Sequence, residues 1–158
     1  MRKRLSKKRI LLPDPKFNDK LVTRFVNNLM LDGKKSVAFK VFYDALDIVD
    51  QKKQEEEKTA LELWKEGLSN VMPHVEVRSR RVGGATFQIP MPIRADRKIS
   101  MAIKWMILYA RRRNEKSMAQ RLAGEILAAV KEEGAAVKKR VDVHKMADAN
   151  KAFSHFRF

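Results

Sequence analysis

One stretch of the chain breaks a pattern that is helical elsewhere. Apolar and polar residues alternate from Val75 to Arg78 and again from Phe87 to Ile89. Between these segments, Gly83-Gly84 supplies the positive φ angles that a tight hairpin turn needs. Pro90 and Pro92 confine the returning strand to a sheet edge. The sequence therefore predicts one two-stranded β-hairpin at about residues 74–91 within a mainly α protein.

Outside this stretch, apolar residues recur at helical spacing and predict about six helices. The expected start and stop signals are Asn18 or Asp19, Gly33, Thr59 with Glu62, Asp96, Ser117 with Gln120, and Gly134. The fourth helix is apolar nearly all round, which is typical of a helix at the centre of a core. We expect a single helical domain over residues 18–158, with a protruding hairpin arm. A basic N-terminal arm over residues 1–17 precedes it.

The distal half of the hairpin differs from a core-packed strand. Such a strand would continue the apolar face of Val75 and Val77 at the next alternate positions, but these are Ser79 and Arg81. Both faces become polar and basic near the tip. Because a lone two-stranded ribbon is marginally stable in water, we expect the arm to project from the domain and a partner to hold its tip.

The charge of the chain is strongly unbalanced, with 35 Lys and Arg residues against 19 Asp and Glu residues and a net charge of +16. Self-repulsion of this size favours a polyanionic partner. The basic residues are spread along the whole chain rather than gathered on one amphipathic helix, which favours nucleic acid over a membrane surface. With 44% hydrophobic residues, the chain can still build a core.

Two acid-free clusters are the candidate phosphate-binding sites. The N-terminal cluster contains Arg2, Lys3, Arg4, Lys7, Lys8 and Arg9. It predicts an arm that orders on RNA, the alternative being a solubilising terminus. The second cluster is a stripe on the fourth helix, formed by Arg94, Arg97, Lys104 and Arg111 and extended by Lys98, Arg112 and Arg113.

Spacings of three and seven residues hold this stripe within a narrow sector of the helix. A solvated face would usually carry acids for i,i+4 pairing, yet Asp96 is the only acid between Arg94 and Arg113. Acids gather instead between Asp44 and Glu66, which we expect to face away from RNA. The stripe therefore predicts phosphate binding.

Enzyme signatures are missing from the sequence. The absence of cysteine excludes disulfides, thiolate metal sites and a cysteine nucleophile. The histidines at 74, 144 and 155 show no ligand spacing, so we expect neither a metal site nor a cofactor, and no catalysis. The N-terminal apolar run is too short for a signal peptide, and the longest apolar stretch is too short to span a bilayer. We expect a soluble, intracellular protein.

In the C-terminal segment from residue 153 to residue 158, aromatic residues alternate with polar and basic ones. Phe153 is expected to pack on the domain. For Phe156 and Phe158, core packing and stacking on bases or on a protein neighbour both stay open.

Several separated segments resemble the bacterial family of small-subunit ribosomal protein seven, and the resemblance covers the whole chain. They are Asp19-Lys20-Leu21 leading into Gly33-Lys34-Lys35, Arg78 to Gly84 with Gln88-Ile89-Pro90, Ala110-Arg111, and Met146 to Phe153. The departures are small. Ala95 stands where proline is common, and Phe158 stands where tryptophan often ends the chain.

The resemblance implies a structural constituent of the small ribosomal subunit in the cytoplasm of a bacterium, with a plastid ribosome as the alternative. Such proteins are primary binders of the 3′ major domain of small-subunit ribosomal RNA and nucleate assembly of the head. They lie near the exit-site transfer RNA and the messenger exit channel and contact ribosomal protein eleven.

Residue by residue, the resemblance adds Lys34 and Lys35 to the ribosomal RNA contacts. It places the following residues near the transfer RNA and messenger path: Arg78, Arg80, Arg81, Gly83, Gly84, Arg140 and His144.

Two classes of DNA-binding protein are the alternatives to a ribosomal RNA-binding protein. A DNA-bending architectural protein also carries a basic β-arm, but such arms often end in an apolar wedge, and this turn offers only Val82. A helix-turn-helix regulator needs a recognition helix with exposed Asn, Gln or Arg near its start, and no such helix is evident.

Overall fold

The computed structural model describes residues 9–53 and 57–156. This part of the chain forms six α-helices and one two-stranded antiparallel sheet, which confirms the predicted mainly α class with a β-hairpin. In chain order the elements are α1 (Lys20–Leu29), α2 (Lys35–Lys52), α3 (Ala60–Val71), β1 (Val75–Val82), β2 (Ala85–Pro92), α4 (Ala95–Arg111), α5 (Met118–Val130), α6 (Ala135–Ala149) and a 3-10 helix (Lys151–Phe156).

A side-chain cap begins three of the six described helices, α1, α3 and α5. Asp19 begins α1, and its side chain accepts a hydrogen bond from the Leu21 N–H at 2.7 Å. The expected capping boxes at the starts of α3 and α5 both form. Helix α4 begins one residue before Asp96, which lies in the first turn, where its negative charge suits the helix dipole.

The end of α1 was predicted wrongly. The helix ends at Leu29, and the Met30 N–H closes its last turn on the Val26 carbonyl. Gly33 has a φ of +72° but lies in the turn before α2, together with Asp32, which has a φ of +52°. Two consecutive left-handed residues make this turn, so the glycine marks the reversal of the chain rather than the helix end.

Aromatic side chains join α1, α2 and α3. Phe25, Phe42 and Trp64 are fully buried, and their ring centroids lie 5.2–5.4 Å apart. Edge-to-face geometry, as between Phe25 and Trp64, is the arrangement that aromatic quadrupoles favour. This cluster fixes the mutual orientation of the first three helices.

The centre of the core is α5 rather than α4, contrary to the expectation for the fourth helix. Helices α4 and α5 each pack against four other helices, but Gln120 is the only exposed residue of α5, whereas even the apolar Leu108 on α4 is 43% exposed. Small residues allow this close packing: a Cβ added to Gly67 on α3 would lie 3.2 Å from the Ile126 carbonyl oxygen of α5. Helix α4 therefore keeps one side on the surface.

The hairpin pairs β1 with β2 in antiparallel register, from Val75 opposite Pro92 to Val82 opposite Ala85. Its base is packed on the domain, where Ile89 is 2% exposed. The distal side chains that the structure describes, from 78 to 81 and from 83 to 86, are all exposed. The hairpin therefore projects as expected. No helix in the described ranges is long and apolar enough to cross a membrane.

The segment before α1 is attached to the core. Asp14 is 1% exposed and accepts hydrogen bonds from the Phe17 N–H at 2.9 Å and the Tyr43 hydroxyl at 2.6 Å. Burial, together with this hydrogen bond to Asp14, raises the pKa of Tyr43 to about 12. Residues 14–17 therefore contact the domain, while the predicted boundary of the arm at residue 17 stays a prediction.

Candidate RNA-binding interface

Helix α4 presents cations on one side and buries apolar residues on the other. Its buried residues are Ala102, Ile103, Met106, Ile107 and Ala110. Arg94, Lys104, Arg111 and Arg112 are exposed. Within the described part of the chain, Asp96 is the only acid that α4 carries. The helix therefore offers a row of positive charge on a rigid support, which a phosphate backbone can neutralise.

Arg111 is held at the end of this row. Its Nη2 donates to the Leu29 carbonyl, the last residue of α1, at 3.2 Å. Since a guanidinium carries five N–H donors, this bond fixes the orientation of the group and leaves other donors for a phosphate.

Arg97 is exposed, as its spacing predicts, but it also pairs with a carboxylate at the base of the hairpin. Its Nη2 lies 2.9 Å from Oε2 of Glu76, whose side chain is also bonded by Arg78 Nε at 2.6 Å. Glu76 is 6% exposed, whereas Val75 and Val77 are half-buried. The expectation that the two valines form the buried face of β1 is wrong, because two guanidinium groups stabilise the carboxylate inside.

These contacts also set the charge of Glu76. Burial alone would raise the pKa of Glu76, but hydrogen bonds from Arg97 and Arg78 outweigh burial and hold the pKa below its usual value. The side chains of both arginines stay about half exposed, so each has donors facing solvent. The cluster joins the base of the hairpin to the start of α4.

Arg113 lies apart from the exposed row. Its Nη1 is 3.2 Å from Oε2 of Glu125, which is fully buried, and its Nε is 2.7 Å from Oε1 of Glu115. Burial alone would lower the pKa of Arg113, but the hydrogen bonds that it donates to the carboxylates of Glu115 and Glu125 raise it. The other oxygen of Glu125 accepts from the Ala136 N–H at 2.9 Å. Arg113 therefore stabilises the junction of α4, α5 and α6.

The other cations expected to contact ribosomal RNA lie at the start of α2 and in the N-terminal cluster. Lys34 and Lys35 are both exposed, and Lys35 Nζ lies 5.7 Å from the centre of the Phe39 ring. Arg9 is exposed. The other members of the N-terminal cluster, Arg2, Lys3, Arg4, Lys7 and Lys8, lie outside the described residues.

The hairpin tip carries the residues assigned to the transfer RNA and messenger path. Arg80, Arg81 and the two turn glycines are exposed. Gly83 and Gly84 have φ angles of +56° and +90°, and a Cβ added at either would meet no atom within 4 Å. The turn therefore needs glycine for its backbone conformation and not for close packing.

A histidine pair lies where the hairpin meets α6. The His74 N–H donates to His144 Nε2 at 3.1 Å, and the two rings stack with centroids 5.9 Å apart. Lys98 Nζ lies 3.3 Å from His74 Nδ1. Burial, and then the nearby charges of His74 and Arg140, lower the pKa of His144. His144 is thus a half-buried neutral acceptor that fixes the hairpin base, and Arg140 lies beside it.

One contact that positions the site was missed from the sequence, and one was expected. Arg24 on α1 donates to the Asp96 carbonyl at 2.8 Å and to Ser100 Oγ at 2.6 Å, which fixes the start of α4. Phe153 of the 3-10 helix packs against Phe87 of β2 with ring centroids 5.2 Å apart, as expected for packing on the domain. No local sequence signal reveals the Arg24 contact, because its partners lie more than 70 residues away. The Phe156 side chain and Phe158 lie outside the described residues.

Within residues 9–53 and 57–156, no group of three or more His, Asp or Glu side chains lies close enough together to hold a metal ion. The arrangement is instead a set of exposed cations on a rigid helix and on a projecting ribbon.

Comparison with known proteins finds matches over nearly the whole chain. The family model described as ribosomal protein S7p/S5e matches residues 1–151. The chain is 82% identical over 158 residues to small ribosomal subunit protein uS7 of Flavobacterium johnsoniae, covering 100% of both chains. It is 63% identical to the protein of the same name from Cytophaga hutchinsonii and 59% identical to that from Bacteroides fragilis, again over 100% of each chain.

These relatives are bacterial, in agreement with the expected bacterial rather than plastid origin. The chain belongs to the ribosomal protein S7p/S5e family and is a structural, non-enzymatic protein of the small ribosomal subunit.

Proposed function

We propose that the protein binds the 3′ major domain of small-subunit ribosomal RNA directly and nucleates assembly of the subunit head. The observation that carries this proposal is the row of exposed cations on α4, formed by Arg94, Lys104, Arg111 and Arg112. The row is rigid because the opposite side of the helix is buried in the core. Lys34 and Lys35 extend the contact from α2, and the N-terminal cluster adds further phosphate contacts.

The projecting hairpin has a separate part in this proposal. Its tip, with Arg80 and Arg81, reaches the exit-site transfer RNA and the messenger path, and Arg140 and His144 on α6 flank its base. The contact between His74 and His144 supports this division, because it fixes the direction in which the arm leaves the domain. Ribosomal protein eleven is the proposed protein neighbour across the gap between head and platform.

Salt dependence of binding tests the proposal. With roughly six to ten phosphate contacts, affinity for a transcript of the 3′ major domain falls about 10³–10⁵-fold between about 50 and 200 mM salt. Lys104→Gln lowers the slope of log affinity against log salt by about one. Its melting temperature stays at the wild-type value, because Lys104 is exposed.

The matched control is Lys52→Gln. Lys52 is also exposed but lies in the last turn of α2, two residues from Asp50. This variant keeps the wild-type slope. Equal affinity of the wild type for the transcript and for duplex DNA at the same salt would contradict the proposal and favour a DNA architectural protein.

A further inference from the structure

An apolar groove lies beside the basic row, where the end of α1 meets α2, α4 and α5. Its volume is about 430 Å³, within the about 300–1,000 Å³ of typical small-ligand sites. The apolar lining comes from Leu29, Leu31, Val37, Val41 and Met118. Leu31 is 61% exposed and Val37 is 55% exposed, so the groove presents its apolar lining to solvent. Such a surface is unusual in a chain with a net charge of +16.

The rim of the groove is charged. Lys34 and Arg111 line it on the side of the proposed RNA contact. Among the described residues that line the groove, Asp32 is the only acid. An occupant must therefore combine a flat or compact apolar body with negative charge at its edge.

We infer that the groove holds one unpaired base of the bound RNA, with the phosphate of that nucleotide on Lys34 and Arg111. An unstacked base offers an apolar face that can pack against aliphatic side chains, while its phosphate meets the cations. Arg111 is preorganised for this role, because its bond to the Leu29 carbonyl fixes the guanidinium at the rim. Asp32 accepts a hydrogen bond from the ribose 2′-hydroxyl.

Charge complementarity decides between this occupant and an apolar protein segment. A protein segment seated on the lining would cover Lys34 and Arg111 without neutralising them, and burying unpaired charge is unfavourable. A nucleotide packs its base on the apolar lining and neutralises the cations of the rim with its phosphate. The inference rests on the proposed function, because it places one base within the proposed RNA contact.

The first test uses Val37→Ser. Val37 lies in the first turn of α2 and is more than half exposed, and serine and valine have similar helix propensities, so the variant keeps the fold. We expect affinity for the 3′ major domain transcript to fall about three- to tenfold, the effect of losing one or two buried methyl groups. The slope against salt stays unchanged, because no cation is removed.

The matched control is Val141→Ser on α6, a helix that does not pack against α2. Val141 is 37% exposed, and its replacement leaves transcript affinity unchanged. Failure of the wild type to bind the transcript with a steep salt slope overturns the proposed function. If the wild type binds with a steep salt slope and Val37→Ser binds equally well, only the groove inference is overturned. This result is expected if the groove contacts solvent or another protein instead of RNA.

The second test identifies the base as the ligand. Hexa-adenylate and a hexamer of the same backbone without bases are titrated against protein carrying labelled methyl groups. Hexa-adenylate shifts the methyl resonances of Leu31, Val37 and Val41 through its ring current, and the abasic hexamer does not. Equal shifts with both hexamers, or no shift with either, overturn the inference.

Discussion

Glu76 on β1 and Arg97 on α4 form an ion pair, with Arg97 Nη2 2.9 Å from Glu76 Oε2, across 21 residues of chain. The carboxylate is buried and the guanidinium is half exposed. This pair joins the projecting arm to the helix that carries the basic row. The two proposed RNA-contacting elements therefore share one rigid joint, and the direction of the hairpin depends on it.

Replacing Glu76 with glutamine tests the joint. The amide keeps the shape of the side chain but loses the charge that two arginines bind, so we expect the free energy of unfolding to fall by about 1–2 kcal/mol. Urea unfolding of the purified protein measures this. Glu133→Gln, an exposed position in the turn before α6, is the control and stays near the wild-type value. A neutral effect of Glu76→Gln would show that the joint does not stabilise the fold.

The same carboxylate makes stability depend on pH. Its folded-state pKa is lowered from the ordinary 4.5, so the unfolded chain binds the proton more readily. Stability from Glu76 is then fully present above about pH 5 and is lost as pH falls through the folded-state pKa. In Glu76→Gln the acid limb of the stability curve should be shallower. It does not vanish, since the pKa values of Asp19 and Glu115 are also lowered and these groups remain.

If the stability of the wild type and of Glu76→Gln fell equally steeply at acid pH, the pH dependence would come from the other carboxylates. Unfolding free energies measured by urea at intervals between about pH 3 and 7 distinguish the two cases.

Arg113 was predicted to bind RNA, and its geometry predicts a different phenotype. Arg113→Gln leaves the fully buried Glu125 without its cation. We expect a loss of about 2–4 kcal/mol in the free energy of unfolding, somewhat less than for a fully buried pair because solvent reaches Arg113. The double variant with Glu125→Gln recovers part of this loss. Arg112→Gln is the exposed neighbouring control and is expected to alter stability little.

If Arg113→Gln and Arg112→Gln were equally stable, Arg113 would not be needed for the fold and would count as one of the exposed cations of the basic row. A destabilised Arg113→Gln would mean that any loss of RNA binding in this variant reflects the altered fold and not a missing phosphate contact.

Signals within a few residues of one another predicted the local structure well, and contacts between distant residues did not emerge from the sequence. Thr59 and Glu62 are three residues apart, and their capping box formed as expected. Glu76 and Arg97 each fitted a local pattern, as an outward strand residue and as a helix-surface cation. Their pairing was decided by how β1 and α4 pack, because burial of the carboxylate is stable only with both arginines present.

The position of α5 at the centre of the core was also not predicted from the sequence. Its buried residues include Ala119, Ala123 and Ala129, whereas α4 carries the bulkier apolar residues on which the expectation rested. Small residues nevertheless let neighbouring helices approach from several sides, which a hydrophobicity pattern does not reveal.

The last prediction concerns the hairpin tip. Arg80 and Arg81 lie on the exposed half of the ribbon, beyond the contacts that hold its base. Replacing both with glutamine should leave the melting temperature and the affinity for the isolated 3′ major domain transcript unchanged. Particles reconstituted with this variant should retain exit-site transfer RNA less well, because the tip loses two cations that are proposed to contact the transfer RNA backbone. Lys104→Gln provides the converse control, with weaker transcript binding and normal retention of transfer RNA. A large loss of transcript affinity in the tip variant would instead place the arm in the primary ribosomal RNA site, and the proposed division between α4 and the hairpin would be wrong.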